Sequence, residues 1–85
     1  MSLLPPAYLR KKLTQPLPIK GGPVLRTIGD AANYMLTLPH EHVESRNGWR
    51  RAAMLILEQA GVATVSKQLH LALFYDAVLD IRAMD

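Results

Sequence analysis

The chain has no cysteine. That excludes a disulfide framework and any thiolate metal site, and it suits a reducing compartment. Aromatic residues are scarce, with one Trp, one Phe and three Tyr in 85 residues. No stretch approaches the roughly 18 consecutive apolar residues that a membrane-spanning helix needs. The opening "MSLLPPAYLRKK" places two prolines ahead of its charges and no apolar run after them, which is not the pattern of a secretory leader. The expectation is a cytoplasmic protein without a membrane partner.

Acidic residues are missing from the front third. Residues 1–28 hold Arg10, Lys11, Lys12, Lys20 and Arg26 with no Asp or Glu, whereas residues 29–85 hold five basic and seven acidic residues. The formal charge of +3 therefore divides into +5 in front and −2 behind. Such an asymmetry points towards an anionic partner. Apolar residues make up 49% and charged residues 20%, the composition of an ordinary globular chain. A domain this small has a thin core, so extra burial through a partner or self-association is expected.

Residues 1–16 read as a basic N-terminal arm in which "AYLRKKLTQ" forms at most two helical turns between prolines. A helix that short needs a surface to lie on. Residues 17–85 read as a single small α+β domain. In it "PLPIK" and "PVLRTI" flank Gly21-Gly22 as a β-hairpin. "TIGD" has the form of a capping box, so a first helix starts after Thr27 and runs to Pro39 with Ile28, Ala31, Ala32, Met35, Leu36 and Leu38 inward. The stretch 39–48, "PHEHVESRNG", reads as a loop. A second helix spans about 48–60, capped by Gly61, with Trp49, Ala52, Ala53, Ile56, Leu57 and Ala60 as its core stripe. A third runs from Ser66 as N-cap to about Ile81, burying Leu71, Leu73, Phe74, Ala77, Val78 and Ile81 and leaving Asp76 and Asp80 outside. The expected fold is thus a short N-terminal β-hairpin followed by three α-helices packed on one face.

No constellation of residues assigns chemistry. "HEH" at 40–42 offers ligand-type side chains but lacks helical i, i+4 spacing, so neither a metal nor another cofactor is expected. No serine has a base in a recognisable pattern, and "KGGP" is not followed by a phosphate-loop Lys-Ser/Thr, so no catalytic residues are assigned. "EQAGVATVSKQL" echoes a helix-turn-helix, but its turn is about two residues short. The helix that would enter the groove carries Asp76 and Asp80, which phosphates repel.

Two clusters remain. Arg46, Arg50 and Arg51 stand at the start of the second helix, where a cation opposes the helix dipole by about 0.3–1 kcal/mol. Either Glu41, Glu44 and Glu58 pair with them at the surface, or they hold an anion. With Arg10, Lys11 and Lys12 they form the candidate site for weak nucleic-acid or other polyanion binding. The other cluster is apolar: Met54 and Leu55 lie off the core stripe, and Leu69 falls between Asp76 and Asp80 on an otherwise polar face. These three are the candidate interface of a non-enzymatic module that binds another protein or itself as a homodimer.

The segments "RTIGDAANYMLTLP", "GWRRAAMLILEQA" and "VSKQLHLALFYDAV" together resemble a bacterial family of small proteins, domain of unknown function 982. Thr27, Asp30, Ala31, Pro39, Gly48, Arg51, Ala52 and Ala53 carry the likeness, over about residues 17–80. Arg50 stands where that family often has histidine, and Leu57 where cysteine is common. The resemblance implies a hairpin followed by three helices and no particular activity.

Overall fold

Thr27 fixes the first boundary. In the computed structural model, which describes residues 4–84 with the side chains of Glu44 and Met84 excepted, its hydroxyl accepts the Asp30 N–H at 3.1 Å. The Asp30 carboxylate in turn accepts the N–H of Thr27 at 3.2 Å and of Arg26 at 3.0 Å. This reciprocal box opens helix α2, Ile28–Leu36, and also closes the strand before it. That strand, β2 (Val24–Thr27), pairs antiparallel with β1 (Lys12–Pro18). The register runs Pro18 to Val24 and Leu17 to Leu25, then slips through a bulge before Lys12 meets Thr27. Pro16 lies inside the irregular stretch, where a missing N–H costs no regular ladder bond. Gly21 turns the hairpin with φ +65°, a conformation that favours glycine.

The α+β class and the N-terminal hairpin agree with the sequence; the arm does not. Residues 4–16, expected to lie outside the domain, are built into it. A short helix α1, Pro6–Leu9, packs on α2, and Tyr8 is 5% exposed. Its hydroxyl donates to the Ala60 carbonyl at 2.7 Å, and burial pushes the phenol pKa up, so the proton stays in place to donate. Leu13 is buried on β1. The short helix expected in "AYLRKKLTQ" needs a surface to lie on, and the domain itself supplies that surface, while Leu13 belongs to the strand that follows. Tyr8→Phe is expected to lower stability by about 1 kcal/mol in urea denaturation followed by circular dichroism, the usual net worth of one hydrogen bond. An arm lying free would give no change.

Three further helices follow: α3, His40–Ser45; α4, Asn47–Leu57; and α5, Val62–Tyr75. The expected loop at 39–48 therefore contains α3, which starts directly after Pro39 because proline fits the entry to a helix. Helix α4 ends earlier than expected. Gln59, not Gly61, takes the left-handed backbone after it (φ 56°), and Gly61 is instead the extended residue that precedes α5. Ser66 consequently lies inside α5. It is 3% exposed, and its hydroxyl accepts the Thr14 N–H at 3.0 Å, tying α5 to β1.

Helix α5 lies at the centre, against α4 on one side and β1 on another. The core gathers Leu17, Leu25, Ile28, Trp49, Val65, Leu69 and Leu73, all at most 1% exposed. The chain end returns to the sheet: Lys20 N–H donates to Val78 O and Asp80 N–H to Pro18 O, bridging Ile19 and Leu79 before a final 3-10 turn at Ile81–Met84.

Candidate functional site

Asp76 was expected on a solvated face beside Asp80. Helix α5 stops at Tyr75, and Ala77 takes φ 60°, so the chain turns and Asp76 becomes the residue that closes the helix. Its side chain is 13% exposed. One oxygen, Oδ2, accepts the Trp49 indole N–H at 3.2 Å and lies 2.8 Å from His42 Nε2. Burial acts to raise the Asp76 pKa, but the hydrogen bonds from His42 and Trp49, with the charges of His42 and Arg46, outweigh it and hold the carboxyl below its ordinary value. A carboxylate only accepts, so Nε2 of His42 carries the shared proton. The Trp49 ring packs at 5.9 Å from that of Tyr34. The Tyr34 phenol pKa is pushed up by burial and then by the Asp76 charge. One carboxylate thus links residues of α3, α4 and α5, with α2 beside them.

Beside this cluster a cleft of about 230 Å³ opens between the start of α4 and the end of α5. Ser45, Arg46, Asn47, Trp49, Tyr75 and Asp76 border it. Gly48 and Ala72 form the close crossing behind, where a Cβ on Gly48 would stand 3.2 Å from Ala72 Cα. Arg46 is exposed. Its charge contributes to holding Asp76 ionised, yet no ion pair within 4.0 Å joins them among the described residues.

The other expected cations point to solvent. Arg50 and Arg51 border an open hollow on the outer side of α4 with Met54 and Glu58. Among the described residues, no ion pair within 4.0 Å joins the three arginines to Glu41 or Glu58; the Glu44 side chain lies outside the described residues. Arg10, Lys11 and Lys12 are exposed, with the Lys11 ammonium 5.7 Å from the Tyr8 ring centroid. The Tyr8 bond to Ala60 places this segment by the C-terminal end of α4, whereas Arg46 precedes its first residue. Eleven helical residues span about 16 Å, so the two basic groups do not merge into one strip. Of the "HEH" residues, His42 is committed to Asp76, while His40 and Glu41 are exposed. Among the described residues, no three His, Asp or Glu side chains converge for a metal.

The candidate interface residues separate. Met54 is 57% exposed. Leu55 is half-buried against the core. Leu69 is fully buried, so it is a core residue and not an interface residue. The expected face of α5 was rotated: Val65, Ser66, Leu69, Ala72 and Leu73 point inward, while Leu71, Phe74, Tyr75 and Ile81 are exposed. α5 is apolar on most sides, so spacing alone admits more than one inward face. The Ser66 bond to β1 and the packing on α4 select one of them.

Two leucines missed as surface residues are the most informative. Leu36 and Leu57, both expected inside, are 83% and 64% exposed. They border a groove of about 570 Å³ between α2 and α4, with Ala32 and Ala53 among its lining residues and Leu9 of α1 alongside. A signal existed for Leu36: it follows Met35, and successive helical residues stand about 100° apart, so both cannot be central. Comparison with protein-family models, with curated proteins and with solved structures finds no match for this chain.

Proposed function

We propose that this protein is a non-enzymatic interaction module that forms a homodimer through the groove between α2 and α4. The observation that carries this reading is the exposure of Leu36 and Leu57 beside a hollow that none of whose lining residues is charged. Exposed leucines in one contiguous apolar groove favour a protein contact.

The occupant that fits is a second copy. Two chains of charge +3 repel each other, so they meet best on a face without charges. Projecting leucines and small Ala32 and Ala53 lie on the same face, which suits the self-complementary contact of a two-fold dimer, each copy's leucines entering the other's hollow. Met54 is exposed as well, but it borders the hollow of Arg50, Arg51 and Glu58 and not this groove. The Ser45 hydroxyl, in the neighbouring cleft, donates to the backbone carbonyl of His42 and not to its ring, which favours a structural role for the His42–Asp76 pair.

Light-scattering mass on a sizing column tests the reading. The wild-type chain of 9.5 kDa is expected at the mass of two chains, and Leu36→Glu with Leu57→Glu at the mass of one. Both substitutions fall on exposed positions, so a folded circular dichroism spectrum is expected to persist. A wild-type monomer at high protein concentration, or a doubly substituted chain that remains dimeric, overturns the proposal.

A further inference from the structure

The cleft between α4 and α5 carries two opposite charges that do not meet. Asp76 has Oδ2 occupied by His42 and Trp49, while its second oxygen receives no donor among the described residues. Arg46 borders the same cleft, exposed and with no carboxylate within 4.0 Å among the described residues. We infer that this cleft is a binding site for a small zwitterion of the α-amino acid type, its ammonium group held by Asp76 and its carboxylate by Arg46.

The reasoning is by elimination of charge classes. A simple anion that reached Arg46 would face the Asp76 carboxylate, and a simple cation on Asp76 would face the Arg46 guanidinium. A molecule carrying both charges on neighbouring atoms satisfies each wall and adds no net charge. Size points the same way. At about 230 Å³ the cleft is smaller than the roughly 300–1,000 Å³ of sites for drug-sized ligands. Tyr75, which is exposed, supplies apolar surface for the ligand's side chain, with the buried Trp49 and Ala72 behind it. A peptide terminus carries only one of the two charges and so loses one of the two contacts. The site is separate from the α2–α4 groove, so it stands or falls independently of dimer formation.

Trp49 is the chain's one tryptophan, and its fluorescence reports directly on the cleft it borders. Titration with L-alanine, L-leucine and L-glutamine is expected to give a saturable change with at least one of them. The methyl ester of the responding amino acid, lacking the carboxylate, and its N-acetyl form, lacking the ammonium, are each expected to bind about ten-fold more weakly or worse. Arg46→Ala, an exposed change that leaves the core intact, is expected to weaken binding about ten-fold or more, while Arg50→Ala on the outer side of α4 leaves it unchanged. Absence of a saturable response to all three amino acids overturns the inference. So does equal binding of either blocked form, or wild-type affinity in Arg46→Ala.

Discussion

Replacing Trp49 by alanine is expected to cost about 3–5 kcal/mol, the range for removing a large aromatic from a packed core. Trp49 is 1% exposed, contacts Tyr34 by its ring, and is the indole donor to Asp76. Native domains hold only about 0.05–0.15 kcal/mol per residue, so in 85 residues this loss takes a large fraction of the whole. In a domain of this size each kcal/mol moves the midpoint by about 4–8 °C, so a fall of more than about 12 °C is expected in thermal melts followed by far-UV circular dichroism. Trp49→Phe keeps a ring and removes the N–H to a charged acceptor, and is expected to cost about 1.5–3 kcal/mol. A shift below about 5 °C for the alanine variant would show that α4 is not anchored through this ring.

The second large effect belongs to Asp76. Asp76→Ala leaves the His42 and Trp49 donors without their acceptor at the junction of α3, α4 and α5, and is expected to cost about 2–4 kcal/mol. It also changes the pH dependence. The folded-state pKa of Asp76 lies below its ordinary value, so over that interval the unfolded chain binds the proton that the folded chain refuses. Stability from this group is therefore fully present above the ordinary carboxylate pKa of about 3.9 and is lost as pH falls through the lower, folded value. Melting temperatures between pH 7 and pH 2.5 are expected to fall more steeply at the acid end in the wild type than in Asp76→Ala. Parallel curves would mean that the carboxylate gains nothing from folding.

The proposed self-association and amino-acid binding place two separate surfaces on one small domain, one on α2 and α4, the other at the junction of α4 with α5. They share α4, whose outer residues Arg50, Arg51 and Met54 lie exposed. This helix is where a bound ligand and a partner copy would both be felt. Its arginine-rich start, unusual for a helix, has Arg46 at the cleft and Arg50 and Arg51 in solvent.

Much of the fold follows from short-range chemistry. Thr27 and Asp30 announce a capping box because both partners lie within three residues, and Gly21 announces the turn because its backbone angle is a local property. Pro39 ends one helical pattern for the same reason, and the inward placement of Trp49, Ala52 and Ile56 follows from spacing on a helix with a charged outer face. Where neither a cap nor a charged face was present, local pattern could not choose. α5 is apolar on most sides, so only its hydrogen bond to β1 and its packing on α4 decided that Leu69 is inside and Phe74 outside. Tyr8 joined the core because Ala60, 52 residues away, offered a carbonyl. Asp76 became the hub of a polar cluster because His42 and Trp49, 34 and 27 residues distant, converge on it. The sequence by itself determined the hairpin, the Thr27–Asp30 capping box and the α+β class, since those depend on neighbours along the chain. The tertiary structure alone decided the burial of residues 8 and 13, the charge-lined cleft and the exposed leucine groove, because each depends on which helix faces meet.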